Sequence, residues 1–162
     1  MEPVHIHLLI NHIPILGGIF ATALIFFGII LKNETVKKVA YFTFIVSALF
    51  VLPANKSGEG AEEIVEKIAG VNERMIEHHE EKADFAMWSS IITGIVSSMG
   101  LYLSYKNSKI SGVISFVVFV VSLVSIYFLW GAGESGGKIR HTELSNTTIS
   151  SKQNESHNHI ED

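Results

Sequence analysis

Four long apolar stretches, separated by short polar segments, dominate the sequence. They cover residues 8–31, 36–54, 84–105 and 110–130. A helix needs about 20 apolar residues to cross the hydrocarbon layer of a bilayer, which is about 30 Å thick. The second stretch approaches this length when Lys37 and Lys38 extend their charged ends to the membrane surface. The pattern predicts an all-α fold, namely an integral membrane four-helix bundle.

The polar segments predict how the four spans are connected. Helix-breaking residues at 53–58 indicate the end of the second span, and the acidic amphipathic residues 60–69 indicate a short helix between spans two and three. The third helical pattern runs from residue 71 to 105, about 50 Å at 1.5 Å per residue, so this helix is expected to extend beyond the bilayer. The glycine-rich residues 131–137 are expected to form a loop that folds back over the bundle.

The spans form one predicted domain, residues 1–141, followed by a polar tail at 142–162 whose composition is typical of disorder. Lysines in the two short turns, between spans one and two and between spans three and four, predict a cytoplasmic position for those turns, because basic loops stay inside. Both termini and every histidine then lie outside the cytoplasmic membrane of a bacterium or archaeon.

Composition narrows the chemistry that the chain can perform. It contains no cysteine, which excludes disulfides, thiolate metal sites, iron–sulfur clusters and covalent c-type haem attachment. A net charge of −4 without basic clusters argues against nucleic acid binding. No nucleophile–base pair, phosphate loop or paired-carboxylate motif rises above background, so an electron carrier or binding subunit is expected rather than an enzyme.

Eight histidines are the most informative chemical feature of the chain. Imidazole is a common ligand of metals and of haem iron. Ionisable groups next to lipid are energetically costly, so their presence at the ends of the spans indicates a function. Six histidines can be brought to one side of the bilayer: His5, His7, His12, His78, His79 and His141.

Helical geometry restricts which histidines can share a ligand. His7 and His12 are five residues apart and point in directions about 140° different, so they serve two sites, or one of them supports the other. His79 precedes Ala83 and Met87 by four and eight residues, and this face is expected to point into the bundle. The neighbouring His78 is expected to face water or a second group.

Two helices that present neutral imidazoles across a flat macrocycle would hold a bis-histidine haem b. Arg74 or Arg140 would pair with the haem propionates, since a planar bidentate donor suits a carboxylate. The candidate cofactor-binding histidines are His7, His12, His79 and His141. Small residues are expected to leave room for the macrocycle: Gly17, Gly18, Ala21, Gly58, Gly60 and Ala61.

The same four histidines also suit a non-haem metal. Histidine with carboxylate and no thiolate is compatible with copper(II) or zinc. His7, His12, His79 and His141 are therefore equally the candidate ligands of a divalent-metal binding or transport protein. A third alternative is a cofactor-free scaffold subunit of a larger membrane complex or oligomer.

Short motifs in the chain resemble a known family. Residues 11–15, Asn-His-Ile-Pro-Ile, preceded by His7, are similar to the first helix of a family of small four-helix bacterial membrane proteins without an assigned function, which opens His-Pro-x-x-x-His-Phe-Pro-Ile. Further similar segments are residues 57–61, 79–83 and 136–141. The chain departs from the family at Leu8, where proline is usual, and at Ile13, where phenylalanine is frequent.

The resemblance covers most of residues 5–141, and its matched histidines are His7, His12, His79 and His141. Members of the family are sometimes fused to cytochrome-like modules, so the resemblance implies electron transfer. The leading expectation is a b-type cytochrome-like membrane protein that holds haem at the extracytoplasmic face, between a quinone pool and an extracytoplasmic redox partner protein.

Overall fold

The computed structural model of the protein describes residues 3–65 and 73–140, which are helical except at short turns. The helices are α1 Pro3–Ile10, α2 His12–Ile30, α3 Glu34–Val65, α4 Glu73–Tyr105 and α5 Ser111–Arg140. Only Asn11 separates α1 from α2, so together they form the first span. Within the described ranges, four spans are long and apolar enough to cross a membrane. The prediction of an all-α, four-span membrane fold is confirmed.

The four spans form a ring in which each helix packs against two neighbours. α2 contacts α3, α3 contacts α4, α4 contacts α5, and α5 returns to α2, while α1 lies mainly against α3. Large apolar side chains such as Phe20, Ile95 and Phe116 are exposed on the outside of the ring, where they suit lipid. The interior contains Tyr41 and many small residues, which allow the helix backbones to approach closely.

Two predicted helix ends are wrong. α3 continues through Pro53 to Val65, so the short helix expected at 60–69 is, as far as residue 65, the end of α3. α5 likewise continues through 131–137 to Arg140, where a loop was expected. Gly58 and Gly136 keep the helical conformation, and each lies against a histidine ring of another helix. These glycines allow close approach and do not mark turns.

The two short turns between the spans each contain a residue of positive φ just after the helix. Lys32 follows α2 with φ 50°, and Asn107 follows α4 with φ 49°, both in the left-handed region. After the first turn, the Asn33 side-chain oxygen accepts hydrogen bonds from the backbone N–H groups of Thr35 and Val36, and so caps the start of α3.

The two helical hairpins, α2–α3 and α4–α5, bury equivalent positions. Each buried residue of α2 has a buried counterpart in α4 that lies 72 residues later. These pairs are Pro14/Ala86, Gly18/Ser90, Ala21/Thr93, Thr22/Gly94, Ile25/Ser97 and Gly28/Gly100. Between α3 and α5 the offset is 78 residues. The buried pairs there include Lys37/Ser115, Ala40/Val118, Phe44/Ser122, Ser47/Ser125 and Val51/Leu129.

This correspondence is an internal structural repeat. The order of contacts around the ring is unchanged when α2 is exchanged with α4 and α3 with α5. Because equivalent helices of an up–down–up–down bundle run in the same direction, the rotation that relates the hairpins is a pseudo-two-fold axis along the bundle. A residue of the first hairpin therefore has a partner at the same depth in the second.

Substituting Gly94 by alanine is expected to destabilise the bundle. The added Cβ would lie 2.5 Å from the Cβ of Ala48, and neither atom can rotate away, so α3 and α4 must separate. Overpacking of this kind costs about 1–3 kcal/mol, which is measurable as the free energy of unfolding in mixed detergent micelles. Gly112→Ala is the matched control, because nothing lies within 4 Å of its added Cβ. Equal stability of the two variants would contradict the packing described here.

Candidate histidine site

His7 is held against the end of α3 by two contacts at one ring nitrogen. Its Nδ1 lies 3.0 Å from the carbonyl oxygen of Ala54 and 3.2 Å from the hydroxyl of Ser57. The Ser57 hydroxyl itself donates to the Ala54 carbonyl at 2.8 Å, so its lone pairs are available to the ring. Because a carbonyl only accepts, Nδ1 carries the proton, and in the neutral ring Nε2 keeps its lone pair.

His79 is held against the end of α5 in the same way. Its Nδ1 lies 3.0 Å from the hydroxyl of Ser135, and it also interacts with the backbone of Ala132. The Ser135 hydroxyl is within 3.0 Å of the carbonyls of Gly131 and Ala132, to which it donates. Its lone pairs therefore accept from the His79 Nδ1–H, and in the neutral ring Nε2 again keeps its lone pair.

The two histidines are equivalent members of the internal repeat. His7 and His79 differ by 72 residues, the offset of the buried positions in α2 and α4. Their partners differ by 78, the offset between α3 and α5: Ala54/Ala132, Ser57/Ser135 and Gly58/Gly136. Each imidazole is thus fixed by an alanine carbonyl, a serine hydroxyl three residues later and a glycine after that. The two histidine arrangements are related by the pseudo-two-fold axis.

A glycine lies directly beside each ring. A Cβ at Gly58 would lie 3.3 Å from Cε1 of His7, and one at Gly136 would lie 3.0 Å from Cε1 of His79. The glycines let each imidazole lie directly on the neighbouring helix. Other small residues expected to leave room for a macrocycle face protein side chains, since a Cβ at Gly17 would meet Ser47 and one at Gly18 would meet Leu129.

The two rings are close enough to interact electrostatically. The neutral imidazole is the form that binds metals. The charges of Glu80 and Lys82 also interact with the His79 ring, Glu80 favouring a positive charge on it and Lys82 disfavouring one. His79 lies five residues, about 7–8 Å along α4, before Asp84, after which the span is uncharged as far as Tyr105. The site therefore lies at one polar end of the bundle.

The other predicted site residues are not part of this pair. His12 is exposed, and its Nδ1 bonds to the carbonyl of Leu8 in its own first span. His78 is exposed, whereas His79 faces the bundle. Arg74 is exposed in the first turn of α4. His141 and the side chain of Arg140 lie outside the described residues.

Among the residues that the structure describes, no group of three or more histidine and acidic side chains could hold a metal ion. The site residues that sequence reasoning missed are the anchors Ser57 and Ser135 with their alanine carbonyls. Their signal is the pattern Ala-x-x-Ser-Gly, which occurs at 54–58 and again at 132–136.

Comparison of the chain with protein-family models, with curated proteins and with solved structures gave no match. The resemblance of its short motifs to the four-helix membrane family stays a prediction.

The tautomers of His7 and His79 provide a direct test of this geometry. We expect ¹⁵N spectra of the histidine-labelled protein in detergent to show both rings, when neutral, with the proton on Nδ1, because Ala54 and Ser135 accept it. The exposed His78 is the internal control and should report the mixture of tautomers typical of imidazole in water. A proton on Nε2 in either His7 or His79 would contradict the assignment; His7→Ala and His79→Ala identify the signals.

Proposed function

We propose that this chain is a membrane-bound, b-type cytochrome-like electron-transfer protein or subunit that holds one haem b between His7 and His79. The observation that carries the proposal is the pair of two-fold-related imidazoles, each anchored through Nδ1. The iron of a haem b would be held by protein side chains, and histidine is one of the commonest of these ligands. Two imidazoles from two helices at equivalent depth are the number and kind of ligands that such an iron takes from a protein.

The residues around the pair fit the task of axial ligation. A ligating histidine normally donates its second ring N–H to a carbonyl or a similar acceptor, which fixes the ring orientation and raises the basicity of the ligating nitrogen. Ala54 and Ser57 do this for His7, and Ser135 does it for His79. When bound, haem would supply one-electron oxidation and reduction. Arg74, exposed at the start of α4, is the candidate partner of a propionate at the polar surface.

The position of the site favours electron exchange at a membrane surface. His79 lies at a polar end of the bundle, before the uncharged part of α4. A quinone in the bilayer and a redox protein in the aqueous phase could both reach this level. The lysine-rich turns lie at the opposite end of the spans, which supports placing the histidines at the extracytoplasmic face.

An absorption spectrum tests the proposal. Purified protein from haem-replete expression is expected to show a Soret band and a low-spin spectrum when reduced. His7→Ala and His79→Ala should each abolish or alter the low-spin spectrum, because each removes one axial ligand. His12→Ala should leave the spectrum unchanged, since that ring bonds within its own span.

Three other outcomes would contradict parts of this proposal. The absence of a Soret band would reject haem binding. Stoichiometric copper or zinc without porphyrin, measured by elemental analysis of protein without a tag, would favour a divalent-metal protein that uses the same histidines. Loss of the low-spin spectrum in His12→Ala, with His7→Ala unaffected, would move the ligand in the first span from His7 to His12.

A further inference from the structure

The bundle interior contains a row of hydroxyl groups that the histidine site does not use. Its members lie mainly on the facing sides of α4 and α5, and most of them are buried. They are, from the histidine end toward the turns, Ser90 with Ser125, then Thr93, Ser122 and Ser97, then Ser115 with Tyr41, and Ser104 with Ser111. We call these residues the hydroxyl file.

The lower part of the hydroxyl file is continuous with an ion pair at the turn end of the bundle. The Tyr41 hydroxyl lies 2.8 Å from the Ser115 hydroxyl and also interacts with Ser104. Ser104 lies 3.5 Å from a carboxylate oxygen of Glu34, whose other oxygen accepts from the buried Lys37 ammonium at 2.8 Å. Glu34 is half exposed, so this end of the file reaches water.

The upper part of the file lines a small cavity. Ser90 and Ser125 are 3.2 Å apart through their hydroxyls, and together with Ser47, Thr93 and Ser122 they line the space. Its volume of ≈ 10 Å³ is at the lower limit for one water molecule. Pro14 and Gly18 close the cavity on the side of α2. The side-chain oxygen of Asn11, three residues before Pro14 and one turn after His7, is buried without a hydrogen-bond partner.

Ser97 lies between these two parts of the hydroxyl file, and its hydroxyl indicates that a water molecule is bound there. Its side chain is fully buried, and its hydroxyl has no hydrogen-bond partner. A buried hydroxyl without a partner is energetically costly. The contacts of Ser90 with Ser125 and of Ser104 with Ser111 place Ser115 at the level of Gly100 on α4.

Distances along the helix axis match a chain of bridging waters. Ser97 is then four residues, about 6 Å, from Thr93, and three residues, about 4.5 Å, from the level of Ser115. A water that makes two hydrogen bonds of about 2.8 Å at its tetrahedral angle joins oxygens about 4.5 Å apart. One water toward Ser115 and two toward Thr93 would therefore satisfy the Ser97 hydroxyl and join the upper and lower parts of the file.

The internal repeat shows whether the buried hydroxyls are needed for helix packing. Small residues and hydroxyls often serve only to bring membrane helices together. At the positions equivalent to Ser90, Thr93 and Ser97, the first hairpin has Gly18, Ala21 and Ile25, which are also buried. Helix contact therefore does not require hydroxyls at this depth, and Ser97 makes no bond to another helix. The hydroxyls of the second hairpin need a different explanation.

We propose that the hydroxyl file, with water between its members, conducts protons through the bundle between the Glu34–Lys37 ion pair and the cavity below Asn11. In each step an oxygen accepts a proton on a lone pair and releases its own proton to the next oxygen. Only O–H bonds form and break, and one proton enters the file at one end as one leaves it at the other. The proposal does not depend on the haem, because no member of the file is a histidine or an anchor of one.

Proton flux into vesicles tests this proposal. The full-length protein is reconstituted into phosphatidylcholine vesicles that contain a pH-sensitive dye, and a potassium gradient with valinomycin sets the membrane potential. We expect internal pH to change faster than in protein-free vesicles. Ser97→Ala should slow the change about three- to tenfold, the factor that corresponds to losing one ordinary hydrogen bond. Tyr41→Phe should also slow it, because it removes the link between Ser115 and Ser104.

Ser98→Ala is the matched control. Ser98 is the next residue on α4, is exposed on the outside of the bundle, and bonds only to the Gly94 carbonyl of its own helix among the contacts described. Its substitution should leave the flux unchanged. Flux equal to that of protein-free vesicles, or equal flux in wild type and Ser97→Ala, would overturn the proposal, as would equal slowing in both serine variants. Circular dichroism and gel filtration establish that Ser97→Ala is folded.

A double variant distinguishes the two proposals of function. His7→Ala combined with His79→Ala removes the proposed haem ligands but leaves the hydroxyl file intact, so its flux should equal that of the wild type. A missing Soret band with normal flux would reject haem binding alone. A normal spectrum without flux would reject proton conduction alone.

Discussion

Close approach between helices is the constraint on which this structure depends. Lipid provides no hydrophobic force that drives apolar helices together, so contacts between well-fitted surfaces hold a membrane bundle. At Gly94 a Cβ would collide with Ala48, and at Gly100 it would lie 2.7 Å from the ring of Tyr41. The same absence of a side chain at Gly58 and Gly136 admits the two histidine rings. Glycines that allow close approach thus determine both the packing of the bundle and the position of the two histidine rings.

The internal repeat is retained at the histidines and lost in the interior. At the polar end both hairpins keep an imidazole, an alanine carbonyl, a serine and a glycine in the same arrangement. At mid-depth α2 has Gly18, Ala21 and Ile25 where α4 has Ser90, Thr93 and Ser97. A feature that both halves retain points to a ligand shared between them. A feature present in one half only points to a role that is carried out on one side of the bundle.

Hydropathy was sufficient to predict the four spans, because about 20 uncharged residues leave few alternatives to a membrane helix. The ends of α3 and α5 could not be predicted from Pro53, Gly58 and Gly136, since a glycine that marks a turn and one that admits a neighbouring side chain look alike in a sequence. The turn of His79 toward the bundle followed from its spacing to Ala83. The choice between His7 and His12 stayed open, because spacing gives the direction of a side chain within one helix but not the helix it meets. The structure turns His7 toward α3 and leaves His12 exposed.

The presence of both halves in one polypeptide has a further consequence. A homodimer of one such hairpin would carry the same side chains on both sides of its two-fold axis. In this chain the equivalent positions can differ, as at Ile25 and Ser97. An asymmetric interior can therefore stand beside a symmetric pair of imidazoles.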